Sequence, residues 1–147
     1  MEETIRVYED AKEIEKILIT FQETLKSLNR GERFIRQMSK KFSRFGKVIG
    51  ILNENDEIMG FAAFYCNDEV SKKAYLSMIA VIGEYQGLGI GRKLLNIVEN
   101  ICRSCNMVML QLEVNKDNFK AISFYRMNGY SMYEVYDKSY IYGKLLL

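Results

Sequence analysis

The sequence predicts one α/β (α+β) domain over residues 1–147, with a mixed, mostly antiparallel sheet of about six to seven strands flanked by about four helices. Three observations carry this expectation. An apolar run, Ala74 to Ile82, passes through glycines at alternate positions (Gly87, Gly89, Gly91) into a helical pattern. Ile90, Leu94, Ile97, Val98 and Ile101 fall on one face of that helix. A further apolar strand, Met107 to Val114, follows it, and strand–helix–strand implies parallel pairing with the Ala74 strand. On either side, β-rich runs alternate with polar turns, as antiparallel hairpins do.

In chain order, Thr4 to Tyr8 alternates as a short edge strand. From Asp10 to Asn29 the spacing of Ile14, Ile17, Leu18, Phe21, Leu25 and Leu28 predicts a single helix. Asp10 is its N-cap, with Glu13 three residues on as in a capping box. Gly31 breaks the pattern, and a second, more basic helix runs from Glu32 to Arg44 with Phe34, Ile35, Met38 and Phe42 inward. Its Lys40, Lys41 and Arg44, with Lys47 beyond, read as a solvated face or as an attractor for an anionic ligand. Lys47 to Leu52 and Glu57 to Cys66 form a hairpin across Asn53 to Asp56, and the loop from Asn67 to Lys73 leads into the Ala74 strand. Asn118 to Asn128 is a short helix ended by Gly129 in a C-cap position. Tyr130 to Tyr136 and Ser139 to Leu146 close the chain as a last hairpin.

Composition narrows the function classes. The chain has 21 basic and 19 acidic residues, net +2, so no strong field argues for nucleic acid as a partner. No apolar run approaches the roughly 18 residues that span a bilayer, so a membrane is not expected either. The first ten residues are acidic where a secretory signal would be basic and then apolar, which makes cytoplasm the expected location. Histidine is absent, which removes any Ser-His-Asp or Cys-His mechanism and leaves acid–base work to Glu, Asp, Tyr, Lys or Cys. The three cysteines, Cys66, Cys102 and Cys105, are too few for a four-ligand zinc site and odd in number for a disulfide framework. They read as small packing side chains, with metal or redox chemistry the less favoured alternative, and no metal is expected.

The glycine turn differs from two better-known phosphate turns. A dinucleotide fingerprint requires G-x-G-x-x-G, and neither Gly87 nor Gly89 starts one. A P-loop requires G-x-x-x-x-G-K-[ST], and none is present. The chain has Q-x-x-G-x-G at Gln86, Gly89 and Gly91, between a strand and an amphipathic helix. There, unpaired amides and the positive end of the helix dipole point at one place, where an anion can sit. Arg92 and Lys93 oppose that dipole by about 1 kcal/mol or less. A charge-assisted bond to phosphate contributes about 1.5–3 kcal/mol, so binding explains them better than stability does.

From Val81 to Leu95 the chain reads V-x-x-x-Y-Q-G-L-G-I-G-R-K-L-L, then L-E-V at Leu112 to Val114, then N-x-x-A-x-x-F-Y-x-x-x-G-Y at Asn118 to Tyr130. These blocks, in this order and spacing, closely resemble the GNAT acetyltransferase superfamily over most of the chain. The resemblance implies an acetyl-CoA-dependent N-acyltransferase that delivers acetyl directly to a primary amine in a ternary complex. It implies that Gln86, Gly87, Leu88, Gly89, Ile90, Gly91 and Arg92 hold the pyrophosphate. Ile79, Ala80 and Val81 would offer backbone groups to the pantetheine arm, and Asn118 would reach its amides while capping a helix. The sheet would splay between the Ala74 and Met107 strands to admit that arm.

Tyr125 matches the family's tyrosine near the thioester sulfur, and a phenol of pKa about 10 suits a leaving thiolate of about 8.5. It also reads as a half-buried aromatic on a short helix. Glu113 is either a solvated strand residue or, as in the N-terminal alanine acetyltransferase branch, the base that takes the amine proton directly or through water. The glutamate that some histone-type members carry in the central strand is replaced here by Tyr75. Asp10 to Arg44 and the last hairpin, with Tyr130, Tyr133, Tyr136, Tyr140 and Tyr142, would border an acceptor groove, or the tyrosines are sheet residues. The acceptor is a small-molecule amine or a peptide N-terminus. A homodimer through the last strands is a further implication of the family. The rival from another class is a non-catalytic acyl-CoA-binding sensor or regulatory module.

Overall fold

The computed structural model describes residues 2–147. Seven strands form one sheet in the order β1-β2-β3-β4-β5-β7-β6. These are β1 (Thr4–Tyr8), β2 (Lys47–Leu52), β3 (Ile58–Tyr65), β4 (Lys73–Val81), β5 (Met109–Asn115), β6 (Ser131–Val135) and β7 (Ser139–Leu145). The α-helices among the described residues are α1 (Ala11–Phe21), α2 (Glu32–Phe45), α3 (Ile90–Ser104) and α4 (Phe119–Met127). Only β4 and β5 pair in parallel. This is the mixed, mostly antiparallel sheet that the sequence predicts.

Two cores form, one on each face. On one, Leu18 and Phe21 of α1 and Phe42 of α2 pack onto Phe61 and Met78; the Phe21 and Phe61 rings stand 4.7 Å apart. On the other, α3 and α4 cover Ile49, Ala62, Leu76, Leu110 and Leu112. β2 and β3 are therefore buried on both faces, which is why they read as continuous apolar runs rather than alternating ones. Gly60 is required where β3 passes under α3: a Cβ there would lie 3.0 Å from the Ala80 carbonyl oxygen and 3.0 Å from Leu94 Cδ1.

The first helix is a correction. Asp10 caps it as expected, accepting the Glu13 N–H at 3.2 Å, but α1 stops at Phe21 instead of reaching Asn29. A turn and a short 3₁₀ segment (Lys26–Leu28) follow. No glycine or proline causes the break. Leu25 is extended, and Leu28 returns to full burial, so tertiary packing overrides a continuous helical pattern.

The feature that creates a site is the parting of β4 and β5. They pair over only three positions, Lys73 with Met109 to Tyr75 with Gln111. Just beyond, Ser77 is an extra residue in β4, since Ala63 pairs with Met78 and Phe64 with Leu76. Such a bulge bends its strand. From there to Val81, β4 keeps β3 and loses β5.

Among the described residues, one charged side chain lies in the core. Glu99 on the inner face of α3 is 3% exposed; it accepts the Tyr130 hydroxyl at 2.7 Å and the Lys144 ammonium at 3.1 Å. This network ties α3 to β7 and to the turn after α4. The Glu99 carboxylate beside it pushes the Tyr130 phenol up, after burial itself, the larger cause.

Candidate active site

A cavity of about 520 Å³ opens where β4 and β5 diverge, walled by β4, the glycine turn, the start of α3 and α4. Ile79, Ala80, Val81, Gln86, Gly87, Gly89, Ile90, Gly91, Arg92, Asn118 and Tyr125 all border it. Leu88 does not; its side chain is 58% exposed at the crest of the turn.

The backbone makes the polar part of this cavity. Gly87 and Gly89 adopt φ of +81° and +82°, a region that side-chain-bearing residues reach only with strain. Nothing lies within 4 Å of where a Cβ would sit on either, so the ground above both is open. Gly89 begins α3 with no side-chain cap, and the first bond into the helix is Lys93 N–H to Gly89 O at 3.1 Å. The amides of Ile90, Gly91 and Arg92 thus have no intrahelical acceptor. Gln86 donates its side-chain amide to the Val81 carbonyl at 2.9 Å, buttressing the turn against the end of β4.

Register sets which β4 groups face the gap. Ile82 N–H donates to Met59 O at 2.9 Å, and antiparallel bonds alternate, so Ala80 also bonds toward β3. The N–H and C=O of Ile79 and Val81 then turn to the side that β5 has left. Of the three residues expected to offer backbone groups, Ala80 is the one whose backbone faces away.

Tyr125, on the inner face of α4, is 9% exposed, with its ring edge-on to Phe124 at 5.3 Å and Tyr130 at 5.8 Å. Burial pushes its phenol up to about 12, so it holds its proton through neutral pH. Asn118 accepts the Ala121 N–H at 3.2 Å and caps α4 while bordering the cavity.

Glu113 lies elsewhere. Leu110, Leu112 and Val114 of β5 face the α3 side, so Glu113 faces the opposite side and does not line the cavity. It is exposed, accepts the Ser139 hydroxyl at 2.5 Å, and adds to burial, the larger cause, in raising the Tyr75 phenol. Tyr125 and Glu113 are therefore on opposite faces of the sheet, and only the gap between β4 and β5 joins them.

Other expectations change. Lys93 pairs with Glu3 at 2.6 Å, leaving Arg92 as the turn's cavity-facing cation. Tyr130 and Tyr142 are buried in the core and border no groove, while Tyr133 and Tyr136 are exposed. Sequence reasoning missed Thr24 and Leu25, which the break after α1 carries to the cavity, and Lys120 and Phe124 on α4. Lys120 follows Asn118 by two residues and was within reach of the same motif. Thr24 and Leu25 had no local signal. A second hollow of about 440 Å³ lies on the Glu113 side, between Lys41 and Phe45 of α2 and Tyr65, Tyr75 and Ser77 of the sheet. Tyr65 places a buried hydroxyl without a partner beside it.

Among known proteins, the chain is 30% identical over 94 residues to N-alpha-acetyltransferase 30 of Schizosaccharomyces pombe, covering 61% of each. It spans about half to three-fifths of the length of the curated relatives it matches. Its fold is similar to that of Ard1 from Thermoplasma volcanium, with a TM-score of 0.79, 22% identity and coverage of 100% of this chain and 99% of that one. It is also similar to PaiA N-acetyltransferase from Thermoplasma acidophilum, solved with coenzyme A, with a TM-score of 0.71, 19% identity and coverage of 97% and 99%. Residues 10–130 match the Acetyltransferase (GNAT) family, and the chain belongs to it.

Proposed function

We propose that this chain transfers acetyl from acetyl-CoA to a primary amine, of a small molecule or a protein N-terminus, by direct transfer in a ternary complex. The observation that carries the reading is the meeting, at one cavity, of the uncapped α3 amides, the β4 edge that β5 has left and the protonated Tyr125. When bound, acetyl-CoA supplies the activated acyl carbon and a thiolate leaving group.

The open ground above Gly87 and Gly89 fits a pyrophosphate, because a Cβ at either place would stand in its way. The amides of Ile90, Gly91 and Arg92 hold the anion, and the Arg92 guanidinium adds charge from the rim. Ile79 and Val81 orient an extended arm as a strand orients its neighbour, and Asn118 borders the same path. Tyr125 donates its proton to the departing sulfur. A phenol raised by burial is a weaker acid in the resting enzyme, and it becomes effective only as negative charge develops beside it.

The acceptor approaches from the other face, where Glu113 and the second hollow lie. Glu113 takes the amine proton directly or through water. The N-alpha-acetyltransferase relative supports a protein N-terminus as one acceptor class.

One observation favours a second reading, an acyl-CoA sensor without turnover: Glu113 is off the cavity wall and engaged by Ser139. Thermal unfolding with acetyl-CoA, CoA, ATP and NAD in parallel tests the donor. Ligand at 100 times its dissociation constant adds about 2.7 kcal/mol, several degrees of midpoint. A rise with acetyl-CoA and CoA alone is expected, and no rise with either would overturn the donor site. Thiol release on adding amines or N-terminal peptides then separates enzyme from sensor.

A further inference from the structure

Cys66, distant in sequence from Cys102 and Cys105, meets them at one place. Cys66 follows the end of β3, and Cys102 and Cys105 lie at the end of α3. The Cys66 and Cys105 sulfurs are 3.3 Å apart, in S–H···S contact, although the residues are 39 apart in the chain. Cys102 is fully buried beside them, packed in the same core as Cys66. Cys66 is 7% exposed and Cys105 only partly buried, so the pair reaches solvent through Cys105. Thiol contacts from Cys102 and Cys105, with the Lys47 ammonium nearby, hold the Cys66 thiol down at about 6 against the opposing effect of burial. Cys102 and Cys105 are pushed the other way and remain protonated donors. Among the described residues these sulfurs are not arranged as a metal-holding group.

We propose that Cys66 and Cys105 are a redox-modification site, converted by hydrogen peroxide into a reducible disulfide that staples the end of α3 to the end of β3. The Cys66 thiolate attacks one peroxide oxygen; an S–O bond forms, the O–O bond breaks, and the departing oxygen leaves as hydroxide, then water. Cys105, losing its proton, attacks the Cys66 sulfur; the S–S bond forms and the S–O bond breaks, releasing a second water. Two thiols are oxidised by two electrons and one hydrogen peroxide is reduced. Cys102, fully buried, lacks the exposure to meet the peroxide.

The closed loop would contain β4, the glycine turn and α3, which together form most of the proposed donor cavity. The bond lies at the far end of a fifteen-residue helix from Gly89, about 22 Å away, so it restrains this segment without entering the cavity. Closing a loop of this length raises the unfolding midpoint on the order of 10 °C.

The test uses the intact protein treated with hydrogen peroxide and then digested with trypsin. Arg103 lies between the two helix cysteines, so peptides 48–72, 94–103 and 104–116 carry Cys66, Cys102 and Cys105 separately. A reducible link between 48–72 and 104–116 is expected, retained in Cys102→Ala and lost in Cys105→Ser. The linked protein is expected to melt higher and to return to the original midpoint with dithiothreitol. Thiols that stay free while glutathione in the same tube is oxidised would overturn the proposal, as would a link through Cys102. A link that leaves the midpoint unchanged or lowers it would overturn the claim that the native geometry accepts the bond.

Discussion

β2 and β3 are buried along almost their whole length, whereas β6 is exposed at every residue. The two halves of one sheet are stabilised differently. β2, β3 and β4 lie between α1 and α2 on one face and α3 on the other, and apolar packing holds them, while β1 at the edge is exposed at four of its five residues. The β5–β7–β6 half is covered on the α3 and α4 face, and its other face carries Gln111, Glu113 and Tyr133 toward solvent. Its tie to the rest is partly polar, through the Glu99 network. The cavity lies on the seam between the halves. Strands sandwiched on both faces can hold an edge rigid, and a half-covered sheet leaves room for the proposed acceptor to approach.

The strongest way to break this comparison is Lys144→Met. It leaves Glu99 buried without its cation, and removing one partner of such a pair costs about 3–5 kcal/mol. Urea unfolding reads this directly, and a loss under about 1 kcal/mol would mean that the outer half does not depend on the network. Next is Tyr125→Phe, which keeps the ring and removes the proton. Turnover with saturating acetyl-CoA is expected to fall about 100-fold while CoA affinity holds, and unchanged turnover would remove Tyr125 as the acid. The same side chain makes a pH prediction. A phenol raised from 10 to about 12 stabilises the fold fully below pH 10, and that contribution is lost as pH rises through 12. Wild type should lose stability more steeply than Tyr125→Phe over that window.

Gly89→Ala comes next. The left-handed backbone costs about 1 kcal/mol with a side chain, and the added methyl would stand over the proposed anion site. A melt and a CoA titration together should show a small stability loss and weaker binding; equal binding would detach the turn from the donor. Leu88→Ala should do least, within about 0.5 kcal/mol of wild type with normal CoA affinity, because only its backbone belongs to the turn.

The elements were legible in the sequence wherever a local pattern carried the reason. The hairpins, the strand–glycine turn–helix unit and the Asp10 and Asn118 caps depend on residues within a few positions of one another. For the same reason the proposed donor site was largely visible, since Gln86 to Arg92 build their own geometry. Lys93 was misassigned because its partner, Glu3, is 90 residues away. Thr24 and Leu25 were missed because α1 ends under packing that no neighbour announces.

Alternation of apolar residues, turn chemistry and glycine spacing determined by themselves that this chain makes a mixed sheet with a strand–glycine turn–helix unit at its centre. Only the tertiary structure decided at which position β4 and β5 part, that Tyr125 and Glu113 take opposite faces of the gap, and that Cys66 meets Cys105 from 39 residues away. The physical reason is range. Dihedral preference and periodicity act over a turn or two of chain, whereas strand register, burial and side-chain pairing are set by elements that meet only when the whole domain has closed.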